Sequence, residues 1–415
     1  MVFSWGGGEC RRRLNSRRFV GCPINVPSST FSPPVQTSNR LAAPSLSAGA
    51  IPRRIRVVDA DVHHNVRAKE DLFPYLARVH RERLIEYGLP RNSGIHQANG
   101  GWRGARADTF DAGEDVDPRS NFGMFQQKLM DGCGIDLAIL QVELTPSLVA
   151  LADVDYSAGL IRAVNDWSLE HWVAKDPRYR LSLTVPMHDP VEAVKEIERL
   201  GDHPAVVSVY VVCGSTRLYG KREYDRVYAA CVERGLSVSL HFSNEGSGMN
   251  PPPTAAGFPT YYAETYLIRP QFYQAHLSSF LFEGTFEKFP ALTVVFCESG
   301  FGWVPSFRWR ADMAWKELRM QTPWVKRLPS EYIEQHIRFT TQPFEETEPP
   351  GAVDQIVTWM NGARTLLYSS DFPHWDFDPP DVVPQRLAPE VRRQILAENA
   401  LASYPKLARL GGILP

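Results

Sequence analysis

Short apolar runs alternate with amphipathic segments along most of this chain, from about residue 55 onward. Nearly continuous apolar runs of this length are typical of strands buried on both faces of a parallel sheet, with helices as the connections. Amphipathic segments predict helices at Ser157–Lys175, Pro190–Leu200, Glu223–Arg234 and Gly351–Gly362. The predicted strands are Ile55–Asp61, Asp136–Glu143, Arg180–Met187, Ala205–Val212, Leu236–Phe242, Thr293–Glu298, His336–Thr341 and Thr365–Asp371.

Eight strand–helix units indicate an α/β fold, a closed (β/α)8 barrel. An open doubly wound sheet is the alternative, but no glycine-rich dinucleotide motif follows the first strand to support it. Two connections, Asn65–Gly134 and Ser243–Gln271, are much longer than turns. Both follow strands, so we expect these insertions to lie over the C-terminal face of the barrel as lids or substrate-binding walls.

Composition limits the classes of partner. The chain has 415 residues and a net charge of −2, with acidic and basic residues interspersed, which argues against a nucleic-acid partner. No apolar run approaches the roughly 20 residues that a membrane helix needs. The six cysteines form no CxxC pair, which is typical of reduced thiols inside a cell. We therefore expect a cytoplasmic protein with a small-molecule partner.

The N-terminal region differs from the rest of the chain. Its first fifty residues carry six arginines against the single acid Glu9, with many serines and prolines. No apolar segment of the kind found in secretory signals follows. We interpret residues 1–53 as a disordered or targeting extension, or as the result of a start codon assigned too early, and residues 54–411 as one barrel domain.

Ionisable side chains stand at the ends of several predicted strands. Asp61 and His63 are two residues apart, so they point to the same face of the first strand. His241, Glu298 and Asp371 end the fifth, sixth and eighth strands. The C-terminal ends of barrel strands converge on one mouth, where buried carboxylates are costly unless they are paired or bind a cation. This pattern predicts a metal site at that mouth.

The predicted ligands are Asp61, His63, His241 and Asp371. Two imidazoles and two carboxylates suit Zn²⁺, Mn²⁺ or a related divalent ion, whereas a Ca²⁺ site would use oxygen ligands alone. The absence of cysteine from this set argues against a structural zinc site. A coordination position left for water or substrate would make the site catalytic.

Several motifs together resemble one family. The chain resembles the metal-dependent amidohydrolase-related proteins that include aminocarboxymuconate-semialdehyde decarboxylase and γ-resorcylate decarboxylase. The resemblance runs from about Arg54 to Leu407 and implies a distorted TIM barrel, one catalytic divalent ion and often a homodimer. It is carried by Asp59-Ala60-Asp61-Val62-His63, Asp176-Pro177-Arg178, His241, Gly284-Thr285-Phe286-Glu287-Lys288-Phe289-Pro290, Glu298-Ser299-Gly300-Phe301-Gly302-Trp303 and Ser369-Ser370-Asp371-Phe372-Pro373-His374.

The resemblance carries the metal-ligand roles onto the same four residues and also shows two departures. Asp61 stands where many members have His or Glu. Glu298 stands where the decarboxylases have a catalytic histidine. A buried carboxylate with a raised pKa can serve as a general base, but Glu298 is alternatively a neighbour of the metal or a hydrogen-bond anchor for a loop. His276 could supply the missing imidazole, or be a structural residue of a helix.

We predict catalytic roles for Asp371, Glu298 and His276, and substrate contacts for His374, Trp303 and Gln342. The leading interpretation is a metal-dependent decarboxylase of a small carboxylated substrate, either aromatic or not. The alternative uses the same site to hydrolyse an ester, lactone or amide through a metal-activated water. A barrel retained only for binding would be expected to have a damaged ligand set.

Overall fold

The computed structural model describes residues 55–90, 104–109 and 117–408. Its centre is a sheet of eight parallel strands in the order β1 to β8, which confirms the predicted (β/α)8 barrel. The strands are β1 Val58–His64, β2 Leu137–Val142, β3 Tyr179–Thr184, β4 Val206–Val212, β5 Ser237–His241, β6 Val294–Cys297, β7 Ile337–Thr340 and β8 Leu366–Leu367.

The barrel closes where the chain after β8 meets β1. The strand β8 itself has only two residues, but the backbone continues the pairing. The amide of Ala60 donates to the carbonyl of Tyr368 at 3.0 Å, and the amide of Asp371 donates to the carbonyl of Asp61 at 3.0 Å. The carboxylate of Asp59 accepts from the amide of Ser370 at 2.9 Å and so braces this seam. The short β8 and a register shift within β1 make the barrel distorted.

Helices cover the outside of the barrel. The eight helices of eight or more residues in the described part are α1 Arg78–Tyr87, α2 Val154–Ser168, α3 Pro190–Leu200, α4 Asp225–Glu233, α5 Tyr262–Phe282, α6 Val304–Leu318, α7 Pro329–His336 and α8 Ala352–Trp359. Shorter α-helices are Phe122–Met124, Thr145–Val149, Thr285–Lys288, Gly362–Thr365, Pro389–Arg393, Asn399–Ser403 and Pro405–Ala408. Within the described ranges there are three π-helical segments, Phe125–Asp131, Leu169–Val173 and Gln394–Glu398. The 3₁₀ turns there are Lys69–Tyr75, Ala107–Thr109, Pro118–Ser120, Arg222–Tyr224, Arg319–Gln321 and Pro380–Val382.

Local sequence explains where these helices begin. Helix α3 starts at the predicted residue because the Asp189 carboxylate accepts hydrogen bonds from the amides of Val191 and Glu192, and Pro190 occupies the first helical position. The three other predicted helices correspond to α2 with the π-helical segment that follows it, to α4 and to α8.

The two ends of the barrel are packed differently. Near the starts of the strands, Val58, Leu137 and Val295 form an apolar cluster with Leu401 and Tyr404 from the C-terminal helices. This cluster plugs the N-terminal end of the barrel. The opposite end, where the strands finish, is left for polar side chains.

Parts of the two long insertions are described. They contribute Tyr87, Arg119 and Ser247 to a cavity at the C-terminal face. The predicted extension over residues 1–53 and the end of the predicted domain, residues 409–411, lie outside the described residues. A search of the described helices finds none long and apolar enough to span a membrane.

Candidate metal centre

The four predicted ligands meet at the C-terminal end of the barrel. One ligand atom each from Asp61, His63, His241 and Asp371 lie within 4.8 Å of one another, and all four residues are buried. Nε2 of His63 lies 3.0 Å from Oδ1 of Asp371 and 3.3 Å from Oδ1 of Asp61. Nε2 of His241 lies 3.4 Å from Oδ2 of Asp61.

Backbone geometry aims these side chains at one point. Asp61 and His63 come from β1, and His241 is the last residue of β5. The Nδ1 of His241 lies 2.6 Å from the carbonyl of Phe242, which leaves Nε2 directed at the cluster. Asp371 has a left-handed φ of 60°, a conformation that is unusual for a residue other than glycine and that turns its carboxylate into the barrel.

The unpaired atoms of this cluster fit a divalent cation. Both oxygens of Asp61 and Oδ2 of Asp371 are buried and have no hydrogen-bond partner among the described residues, although imidazole nitrogens lie nearby. Buried carboxylate oxygens without a partner are strongly destabilising. A cation bound by two imidazoles and two carboxylates would remove this penalty, and the set is one that Zn²⁺ or Mn²⁺ accepts.

A cavity of about 1500 Å³ opens above the cluster. Its floor includes His63 and His241, and its walls include Glu298 and His374, while the carboxylates of Asp61 and Asp371 lie buried beneath. A small aromatic acid fits within this volume.

Glu298 lies beside the predicted ligands. It follows β6 with a φ of 55°, and its side chain is 6% exposed. Its Oε1 accepts a hydrogen bond from Nη1 of Arg269 at 3.2 Å, and its Oε2 lies 3.8 Å from Nε2 of His241. Burial raises the pKa of Glu298 well above its ordinary value, even though Arg269 opposes the shift. A carboxyl whose pKa is raised by burial is suited to proton transfer at the cavity.

A hydrogen-bonded chain links His374 to the cluster. Its Nδ1 lies 2.8 Å from Oδ1 of Asp371, and its Nε2 lies 3.1 Å from Oε2 of Glu143. The His374 ring also stacks on His63 with centroids 4.4 Å apart. Burial would raise the pKa of Glu143, but Arg119 at 2.7 Å and then His374 hold it below its ordinary value. This chain fixes the orientation of His374 on the cavity wall.

Three other predicted site residues, Trp303, Gln342 and His276, do not line the cavity. The indole of Trp303 donates to the carbonyls of Ser299 and Gly300, and its ring packs on Phe339. Gln342 is buried and donates to the carbonyl of Asp376. Both side chains hold loops at the mouth.

His276 is the third of these residues. It is buried in α5, where its Nδ1 accepts from the amide of Tyr219 at 3.3 Å and its Nε2 lies 2.9 Å from the carbonyl of Cys213. A neutral imidazole satisfies both contacts, and burial lowers the pKa of His276 to about 4. This geometry supports the structural interpretation of His276.

Sequence reasoning missed several residues of the cavity. Glu143 directly follows β2, so the criterion used for the other strand ends would have found it. Arg119 comes from the first insertion, and Arg269 and Trp375 come from a helix and a loop, where spacing alone gives no signal.

Comparisons with known proteins find a matching family model and similar curated proteins. The family model described as Amidohydrolase matches residues 58–406. The γ-resorcylate decarboxylase of Polaromonas sp. strain JS666 is 29% identical over 266 residues, which is 60% of this chain and 77% of that protein. The γ-resorcylate decarboxylase of Rhizobium sp. strain MTP-10005 is 27% identical over 264 residues, which is 60% of this chain and 76% of that protein.

Solved structures show the same fold. An amidohydrolase of Mycobacterium avium subsp. paratuberculosis K-10 superposes with a TM-score of 0.65 at 19% identity, covering 84% of this chain and 99% of that one. A dihydroxybenzoic acid decarboxylase of Polaromonas sp. JS666, with bound manganese and the inhibitor 2-nitroresorcinol, gives a TM-score of 0.59 at 20% identity, covering 84% and 97%. A 5-carboxyvanillate decarboxylase of Novosphingobium aromaticivorans with bound manganese gives a TM-score of 0.61 at 18% identity. The match covers 86% of this chain and 98% of that one.

The buried imidazole of His276 predicts a pH-dependent contribution to stability. Its pKa is about 4 in the folded protein and 6.5 without burial, so only the unfolded state binds its proton between these values. The contribution of His276 to the free energy of unfolding is therefore complete above pH 6.5. It falls by about 1.4 kcal/mol per pH unit as the pH drops from 6.5 toward 4. In urea unfolding, the stability of the wild type relative to His276→Gln should fall over this window.

Activity separates the two interpretations of His276. If His276 is structural, folded His276→Gln protein keeps activity of the same order as the wild type. A loss of about a hundredfold or more in kcat, with no change in the pH dependence of stability, would return His276 to a catalytic role.

Proposed function

Because the chain belongs to the amidohydrolase family, whose model spans residues 58–406, we propose that it is a metal-dependent decarboxylase of a small carboxylated aromatic substrate. The observation that carries this proposal is the buried cluster of two imidazoles and two carboxylates, with unpaired oxygens, below a cavity. The curated relatives decarboxylate γ-resorcylate, which supports a carboxy-lyase over the alternative of a hydrolase.

Asp61, His63, His241 and Asp371 would hold one divalent ion, Zn²⁺ or Mn²⁺. The manganese bound in two of the similar structures supports Mn²⁺. When bound, such an ion acts as a Lewis acid that withdraws charge from the carbon losing CO₂.

The residues of this chain would bind the substrate and deliver the proton. In the reaction, the bond between the ring carbon and its carboxylate breaks, CO₂ leaves, and the electron pair stays on the ring carbon. Glu298 then supplies the proton that forms the new C–H bond. Burial would raise the pKa of the alternative donor, Asp371, but His374 holds that pKa well below its ordinary value. The raised pKa of Glu298 favours Glu298 as the proton donor. His374, which is held by hydrogen bonds to Asp371 and Glu143, would position the ring of the substrate.

The reaction class is tested by following CO₂ release from a panel of hydroxybenzoates beside an ester and lactone panel. We expect CO₂ and the corresponding phenol from at least one acid. Glu298→Gln, which keeps the shape of the side chain but cannot supply a proton, should lower kcat by about a hundredfold or more. Turnover confined to esters or lactones would instead support hydrolysis at the same site.

Metal content tests the ligand set directly. Purified protein should hold about one divalent ion per chain, and His241→Ala and Asp371→Asn should both reduce that content and the activity. His188→Ala is a matched control, because His188 is a partly buried histidine that lies outside the cluster and lines a different pocket. A well-folded, active wild-type protein without metal would contradict the proposal.

We also propose a homodimer. An exposed apolar surface on α6 and α8 supports it: Trp309 and Met313 are each 57% exposed, and Trp359, which contacts Trp309, is 50% exposed. Isolated exposed apolar residues are ordinary, but neighbouring aromatic ones are typical of interfaces.

Mass in solution tests this proposal. Light scattering should give about twice the 46.8 kDa of one chain for the wild type, and Trp309→Glu should shift the protein toward the monomer. Val79→Glu, which changes an exposed apolar residue on α1, should leave the mass unchanged. A wild-type mass of one chain would exclude the dimer.

Two further assignments are proposals. A cytoplasmic location is supported by the free cysteines among the described residues, Cys133, Cys213, Cys231 and Cys297. The division into an extension over residues 1–53 and a catalytic domain over 54–411 is supported by the span of the family model.

A further inference from the structure

A second polar surface lines the cavity beside the metal centre. It is formed by the loop after β5 and by the first turns of α5, and we call it the polar wall. Its members are polar residues that line the cavity and are mostly buried: Asn244, Glu245, Ser247, Thr265 and Arg269. Asn244 is 4% exposed, Ser247 is 2% exposed and Thr265 is 5% exposed.

The polar wall carries atoms without hydrogen-bond partners. Among the described residues, none bonds to the side-chain amide of Asn244, Oε1 of Glu245, the hydroxyls of Ser247 and Thr265, or Nε of Arg269. Buried polar groups left in this state are destabilising, so they are rare in native proteins. Their concentration on one cavity wall points to a polar partner in the cavity, either ordered water or a bound molecule.

The chain fixes the polar wall without using these atoms. Asn244 has a left-handed φ of 74°, and its backbone packs against Gly214, whose amide donates to the carbonyl of Ser243 at 2.8 Å. A Cβ at position 214 would lie 2.2 Å from the carbonyl carbon of Asn244, so only glycine fits there. Because backbone contacts hold the loop, the side chains of Asn244 and Ser247 are left for recognition.

Arg269 is held in the same way. Its guanidinium lies 4.0 Å from the centroid of Phe242 and 4.3 Å from that of Tyr266, and its Nη atoms bond to Glu298 and Tyr262. Glu298 also lies 3.8 Å from His241, so a single carboxylate separates Arg269 from the predicted metal ligands. The polar wall and the predicted metal ligands therefore occupy neighbouring parts of one cavity.

The unpaired atoms identify the chemistry that the polar wall recognises. They include donors, on Arg269 and the side-chain amide nitrogen of Asn244, and acceptors, on Glu245 and the side-chain amide oxygen of Asn244. A hydroxyl group both donates and accepts, whereas a carboxylate only accepts and would be repelled by the acids beside Arg269. Phe242 and Tyr262 add aromatic surface to the same side of the cavity.

We propose that the polar wall is a hydroxyl-binding subsite, and that the substrate is an aromatic acid with a ring hydroxyl on the side away from the carboxylate that is lost. The reaction part of this statement rests on the proposed function. The binding part does not, because the polar wall would also bind a polyhydroxylated phenol that cannot react.

The test compares 2,6-dihydroxybenzoate with 2,4,6-trihydroxybenzoate, which adds one hydroxyl opposite the carboxylate. Wild-type kcat/KM should be at least about tenfold higher for the second acid, and Thr265→Val and Ser247→Ala should each reduce this preference severalfold, because the partner of the added hydroxyl is lost. The ratio cancels any effect that a variant has on both acids. Thr358→Val, which removes an exposed hydroxyl from α8, is the control and should keep the wild-type preference.

Calorimetry separates the subsite from catalysis. Wild-type protein should bind 1,3,5-trihydroxybenzene about tenfold more tightly than resorcinol, a difference of about 1.4 kcal/mol, and Thr265→Val should remove most of it. This result supports the subsite even if neither acid is decarboxylated, in which case the proposed reaction alone fails.

Two outcomes overturn the subsite. Equal affinity of the wild type for the two phenols, or no measurable binding of either, means that the polar wall does not recognise ring hydroxyls. An increase in protein stability for Thr265→Val and Ser247→Ala, with an unchanged preference between the two acids, means that the unpaired groups are imperfections of packing.

Discussion

The structure depends on the burial of two carboxylates where the barrel closes. The amide of Asp371 donates to the carbonyl of Asp61, so the pairing that joins the chain after β8 to β1 also brings these side chains together. Neither carboxylate contacts an arginine or lysine among the described residues, and the imidazoles of His63 and His241 lie beside them. A cation would offset the cost of their burial, so closure of the barrel and formation of the metal centre are linked.

The parts of this arrangement that follow from local sequence could be predicted. Strand period and the convergence of strand ends placed Asp61, His63, His241 and Asp371 together, because neither depends on side-chain packing. The face that a helix presents does depend on packing, which is why the sequence could not show that His276 bonds to backbone groups of neighbouring loops.

A glutamate at position 298, where the resemblance predicts a histidine, requires matching residues around it. A buried carboxylate at this position needs compensation, and Arg269 reaches it from α5, clamped between aromatic rings. Burial still raises the pKa of Glu298, which suits this carboxyl to proton transfer at a position where the resemblance to known decarboxylases predicts a histidine. Resemblance to those enzymes could not reveal this, because Arg269 lies 29 residues earlier in the chain.

Arg269 thereby contacts Glu298 beside the metal centre and also belongs to the polar wall. Toward the metal centre it orients Glu298, and toward the cavity it contributes an unpaired Nε to the polar wall. Substrate binding at the polar wall would complete the hydrogen bonds of the same guanidinium that holds Glu298. A hydroxyl on the far side of the ring would then affect the position of the proton donor as well as affinity, so specificity and rate are expected to change together when the polar wall is altered.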